Sequence, residues 1–285
     1  MISLIVKLMI FTSLLSVSNV KAWETDQFSL PDEPIADTGQ EVSSFFHQKL
    51  VNALEEVNTN KVTFPNKIIE IEDKYDHERF FSHGDKARDL RKLKRKVLEL
   101  KKRLDKHIYL LDLYQSKDGI IKVITDTIGR PVATQEKEDA IFGNITDLTP
   151  YQDGLKNGLK TAYYTDRLDS IYAFAGFHRI LHPSYFIISS TINLYGHYVG
   201  MDKLGHFINE GYKYYVKFSK LKSDGISEEQ AKLKVVEWGR VTENTYFGKW
   251  VSGIYSNADL VSNYVGLHFY INLFESININ GVKYE

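Results

Sequence analysis

Apolar side chains recur at helical spacing along most of the chain, and that period sets the first expectations. Thr38-Gly-Gln-Glu41 has the form of a capping box, and Val42, Phe45, Phe46, Leu50, Leu54 and Val57 follow it, which predicts a helix over about 40–57. Leu90, Leu93, Val97, Leu100, Leu104, Ile108 and Leu111 form one continuous stripe and predict a long helix from about Lys86 to Tyr114. Two stretches break the pattern. Val62–Ile71 carries a weak strand alternation, and Ile120–Val132 is rich in β-branched residues and ends in Gly129-Arg-Pro131, as a short hairpin would. From Glu136 onward the chain reads as helical again, with breaks at Pro150, Gly154 and Gly158. Ser227-Glu-Glu-Gln230 opens a further helix to about Trp238, and Ser256 with Asp259 opens the last one. The expected fold is mainly α: a helical globular protein with a long basic amphipathic helix or helical hairpin and a short β-hairpin.

Four segments follow from composition along the chain. Residues 1–22 read as a secretory signal, with Lys7 inside an apolar stretch from Ile2 to Leu15 and small residues flanking Lys21 at the expected cleavage spacing. The alternative is an anchor that is kept, although the stretch is short for a span of about 20 apolar residues. Residues 23–39 form an acidic arm with Pro31 and Pro34, residues 40–135 an N-terminal helical region, and residues 136–285 a C-terminal helical domain. No segment after the signal has the length and apolarity of a membrane span.

Charge and composition remove several classes of function. The 36 basic and 37 acidic side chains nearly cancel, so the chain as a whole is not built for nucleic acid. Cysteine is absent, which excludes disulfides, thiolate metal sites, a cysteine nucleophile and lipid attachment through cysteine. No glycine-rich phosphate loop or nucleophile-elbow serine is present. Between Lys86 and Lys106, however, 11 basic and 3 acidic residues leave a local excess of +8. Such a face is either solvated or docks on phosphate-rich lipid or acidic cell-wall polymer. The partners expected on this basis are an envelope polymer or lipid, or another envelope protein, and not nucleic acid.

Candidate chemistry lies in residues 171–274. His178 and His182 are four apart, which on a helix places both imidazoles on one side, where they can share a metal. In Gly200-Met-Asp-Lys-Leu-Gly-His-Phe207, Asp202 and His206 repeat that spacing among apolar neighbours, and Gly205 allows close backbone approach. A carboxylate and an imidazole on a buried stripe must satisfy each other or a third group. Glu243 adds a carboxyl from a separate segment, and Asp259, Asn263 and Gly266 share one face of the last helix. An O/N ligand set of this kind suits zinc or another divalent ion. The metal candidates are Asp202, His206, Asp259, His178 and His182. Glu243 and His206 are the acid–base candidates, with Lys203, Asn263, Gly205 and Gly266 in support.

The order Asp202-Lys203-x-x-His206, then Glu243, then Asp259-x-x-x-Asn263-x-x-Gly266 resembles the VanZ-like families. The Asp-Lys-x-Gly-His-Phe run and the Ser-Asn-Ala-Asp-Leu helix start are similar to those of the YfiM-like periplasmic proteins. The resemblance covers roughly residues 195–274 and implies a shared polar cluster in a cell-envelope setting; VanZ-like membership is associated with glycopeptide resistance. Two features depart from it. VanZ-like proteins span the membrane several times, and YfiM-like proteins are usually acylated on a cysteine that this chain lacks. Two functions are therefore expected in competition. One is an exported metal-dependent hydrolase acting on peptidoglycan peptide bonds or envelope lipid. The other is a non-catalytic envelope protein in which the same residues form a buried hydrogen-bond network.

Overall fold

The computed structural model describes residues 29–80, 87–128, 155–173, 190–245, 248–250, 253–275, 277–279 and 282–284. Within them the protein is mainly helical, with three short antiparallel strand pairs. The chain divides into two compact units, one formed by residues up to Val42 with Val132–Ile271, the other by Ser43–Pro131 with Asn272–Glu285.

The second unit is built on helix α1, Gly39–Phe80, whose first turn belongs to the other unit, and helix α2, Ala87–Gln115. The α1 helix continues well past residue 57 and includes Val62–Ile71, so the strand expected there does not form. The reason is a second period beneath the alternation. Val57, Phe64 and Ile71 are buried at seven-residue intervals, with Ile68 and Tyr75 half-buried between and beyond them, while Val62 and Ile69 are exposed at 70% and 56%. The matching seam on α2 runs through Val97, Leu100, Leu104, His107, Leu111 and Tyr114, so His107 takes the inward place expected of Ile108. Phe64 stacks on Tyr114 with ring centroids 5.5 Å apart and meets His107 edge-on, and Tyr114 donates a 2.8 Å hydrogen bond to Glu56. Lys96 pairs with Glu78 further out. These pairings advance in opposite senses, so α1 and α2 form an antiparallel hairpin.

At Ser116 the chain bends. Its hydroxyl accepts the Gly119 N–H at 3.1 Å and starts helix α3, Lys117–Ile128. Over residues 120–128 this helix stands in place of the hairpin expected at Ile120–Val132; residues 129–132 lie outside the described residues. Of the β-branched residues of α3, Ile120, Ile121, Val123, Ile124, Thr125 and Ile128 are buried and Thr127 is half-buried, and packing overrides their strand preference. The last strand pair, β5 (Ile277–Ile279) with β6 (Val282–Tyr284), also belongs to this unit.

In the first unit two hairpins precede the helices. Strands β1 (Leu155–Lys156) and β2 (Leu159–Lys160) are joined by Asn157-Gly158, and β3 (Thr191–Leu194) and β4 (His197–Gly200) by Tyr195-Gly196. Both turns have positive φ at both central residues, 55° and 80° in the first, 55° and 83° in the second, which matches the twist of a two-residue hairpin. The chain here is therefore not helical throughout, as the pattern after Glu136 suggested. Residues 29–38 fasten to both hairpins, through Ala36 N–H to the Lys160 carbonyl at 2.7 Å and Thr38 N–H to the Asn193 carbonyl at 2.9 Å. The Thr38 hydroxyl also donates to Asn193, so the α1 cap is supplied instead by Asp37, which accepts the Gly39 N–H at 2.8 Å.

Three helices complete the unit. Helix α4 comprises an α-helical turn Asp202–Gly205, a π-helical turn His206–Glu210 and a longer α-helical part Gly211–Ser223. Helix α5 spans Glu228–Glu243 and is capped by Ser227, which accepts the Gln230 N–H as its sequence predicts; helix α6 spans Asn257–Asn272. Tyr214, Tyr270, Ile208, Val235 and Leu267 form the fully buried centre between them. No described helix is long and apolar enough to cross a membrane.

Candidate functional site: a buried charged cluster on α4, α5 and α6

Two glycines decide where the cluster forms. A Cβ on Gly266 would run into the Phe207 carbonyl and lie 2.8 Å from Gly211 Cα, so α6 and α4 touch backbone to backbone there. That approach places Asn263 against His206 and Asp259 against Lys203, one and two turns before the crossing. The π-helical turn begins at His206 itself. Such turns widen the helix by one residue and are common at functional sites. Gly205 has ordinary helical backbone, φ −63°, so no conformational need for glycine arises there.

Lys203 is the centre of the arrangement. Its ammonium donates to Asp202 at 2.7 Å and to Asp259, and all three side chains are almost wholly buried. His206 turns Nδ1 to the Asn263 side-chain oxygen at 3.1 Å and Nε2 to the second Asp259 oxygen at 3.4 Å. One buried aspartate thus faces both the Lys203 ammonium and the His206 imidazole. Burial pushes its carboxyl pKa up, but the charges of His206 and Lys203 and hydrogen bonds from Lys203 and Ser256 outweigh this and lower it.

The α6 cap explains why Asp259 is available. Ser256 accepts the Asp259 N–H at 3.2 Å, one half of the expected capping box. In the other half the acid would take the Ser256 N–H. Here Glu243, at the end of α5, takes it at 2.9 Å, which releases the Asp259 carboxylate to Lys203 and His206. Glu243 is 1% exposed, and Gly248 covers it so closely that any side chain there would strike the carboxylate. Burial raises its pKa to about 7, with the Asp259 charge adding to the rise and His206, Lys203 and the Ser256 N–H opposing it.

Ligand atoms of Asp202, His206 and Asp259 lie within 4.8 Å of one another, a spacing at which three side chains could hold a metal ion. Among the described residues Glu243 is not part of that group; it acts on the cluster through charge and through the α6 cap. His178 and His182 lie outside the described residues.

Tyr214 also adjoins the cluster, although no motif in the sequence marks it as a site residue. Its side chain is buried, its hydroxyl lies over Gly239 where a Cβ would collide with it, and among the described residues that hydroxyl has no hydrogen-bond partner of ordinary geometry. Burial pushes its pKa up to about 12; Glu210 and Glu243 add to the rise, and the nearby Asn263 amide opposes it. The signals were present: Tyr214 lies two turns beyond His206 on one helix, and Gly239 one turn before Glu243 on another. No family model, curated protein or solved structure matches the chain.

Proposed function

We propose that the protein is an exported cell-envelope hydrolase that uses a divalent metal, zinc being the ion best suited to one imidazole and two carboxylates, held by Asp202, His206 and Asp259. The observation that carries this reading is the convergence of those three ligand atoms within 4.8 Å, beside a buried glutamate that titrates near neutrality. A metal there would supply Lewis-acid polarisation of an amide or ester carbonyl. Glu243, with a pKa of about 7, is suited to hold and release a proton at physiological pH, and Asn263 fixes the imidazole plane by its hydrogen bond to Nδ1. The export signal expected at residues 1–22 and the resemblance to envelope families support the setting. They favour peptidoglycan peptides or envelope lipids as the substrate class.

Lys203 favours a second reading. Its ammonium already pairs with both carboxylates, and a metal must displace it. If the ammonium stays, the network is a clasp that fixes α4 on α6 in a non-catalytic envelope protein. Hydrolysis of muropeptides and of phospholipids, assayed with and without zinc, separates the two. The hydrolase reading predicts zinc-dependent turnover that His206→Ala and Glu243→Gln abolish while circular dichroism stays unchanged. Zinc-independent turnover, or equal turnover in the variants, refutes it.

A further inference from the structure

The basic excess of α2 is divided between two faces of the helix, and among the described residues the one beside α1 faces acids of that helix. Lys96 and Arg103 flank the seam with α1, where Lys96 pairs with Glu78 and Arg103 lies within electrostatic reach of Glu70. Around the outer side, at helical spacing, stand Lys94, Arg95, Lys101, Lys102 and Lys106, all exposed, with Glu99 and Asp105 as the acids among them, which leaves a local excess of +3. The same face carries Leu98 and Tyr109, 52% and 61% exposed. Neither belongs to the α1–α2 seam, so folding of the hairpin does not account for them.

From this we infer that the outer face of α2 docks on an anionic membrane surface, with Lys94, Arg95, Lys101, Lys102 and Lys106 meeting lipid phosphates and Leu98 and Tyr109 entering the headgroup region. Charge complementarity selects an anionic partner, and each cation near such a surface adds to the attraction. The two apolar side chains select lipid over a soluble polymer. A polyanion gains nothing from leucine, whereas an interfacial helix is held by apolar groups flanked by lysines and by an amphipathic tyrosine. The inference is independent of the α4–α6 cluster, because every residue in it belongs to the other unit.

The test is co-sedimentation of the full chain with phosphatidylcholine vesicles, with and without phosphatidylglycerol, at low and physiological salt. The readout is the gain in binding on adding phosphatidylglycerol, because the apolar stretch at residues 2–15 can bind either vesicle. Lys94→Glu/Lys101→Glu/Lys102→Glu is expected to reduce that gain by at least about tenfold. Leu98→Ser/Tyr109→Ser should weaken it, and Lys220→Glu/Lys222→Glu/Lys234→Glu, an equal charge change in the other unit, should preserve most of it. No gain for the wild type, or the same gain in the Lys94/Lys101/Lys102 variant, overturns the inference. So does binding to soluble polyphosphate that matches the vesicles and ignores Leu98→Ser/Tyr109→Ser, which would make the partner a polymer.

Discussion

Replacing Glu243 by glutamine should make the stability of this protein less sensitive to alkali, by an amount that follows from the burial of one carboxyl. The folded pKa is about 7 against an ordinary value of 4.5. Below pH 4.5 the carboxyl is protonated in both the folded and the unfolded chain, and its ionisation costs nothing. Between pH 4.5 and 7 the unfolded chain gives up the proton and the folded one keeps it, so stability falls as the pH rises. Above 7 the folded protein also ionises, and the cost levels off. The shift of about 2.5 units corresponds to a ceiling of about 3 kcal/mol, since each unit is worth about 1.4 kcal/mol. Glutamine keeps the shape and an oxygen for the Ser256 N–H but has no charge to bury. The assay is urea unfolding in chelator, followed by tryptophan fluorescence, because Trp238 packs on Tyr214 with ring centroids 5.5 Å apart. Relative to wild type, Glu243→Gln should gain about 2–3 kcal/mol between pH 4.5 and pH 8. A stability difference independent of pH would show that Glu243 is not held in a low-dielectric site, and the acid–base role would lose its physical basis.

Other consequences of the structure can be measured in the same way. Gly266→Ala puts a methyl into the Phe207 carbonyl and should cost about 3 kcal/mol or more, read as a large drop in Tm. Lys203→Met leaves Asp202 and Asp259 without their shared ammonium and should destabilise metal-free protein by about 3–5 kcal/mol; zinc should recover much of that loss if the carboxylates and His206 form a metal site. In the helical hairpin, Phe64→Ala should cost about 3 kcal/mol, whereas Val62→Ala, at an exposed position, should stay within about 0.5 kcal/mol. Equal effects at the two positions would contradict the seam between α1 and α2.

Periodicity was a good guide where one face of a helix alone is buried. The α2 helix, with Val97, Leu100, Leu104 and Leu111 on its inner side, and the Ser227 and Ser256 caps lie where spacing puts them, while Ile108 gives up its inward place to His107. It failed where exposed apolar residues mimic another period. Val62 and Ile69 imitate strand alternation over a heptad seam that becomes visible only with α2 opposite. In α3 the β-branched run follows tertiary burial instead of local preference. The Asn157-Gly158 pair is a hairpin signal, but within a helical pattern Gly158 reads only as a break. In the cluster, i, i+4 spacing identified Asp202 with His206 and Asp259 with Asn263, because each pair shares a helix. What no spacing discloses is a meeting between helices. The position of Lys203 between two aspartates, the transfer of the Ser256 N–H to Glu243, and the seat of Tyr214 over Gly239 depend respectively on the α4–α6, α5–α6 and α4–α5 approaches.

The central claim is that Asp202, His206 and Asp259 hold a metal, and its most direct test is the metal content of the full chain purified without chelator or histidine tag. The account predicts about one equivalent of zinc or another divalent ion per chain, as a site of three converging ligands requires. His206→Ala should lose that ion while retaining its helical circular dichroism. Metal-free protein that also fails to take up added zinc or manganese would contradict the claim and leave Lys203 as the permanent cation of a structural clasp.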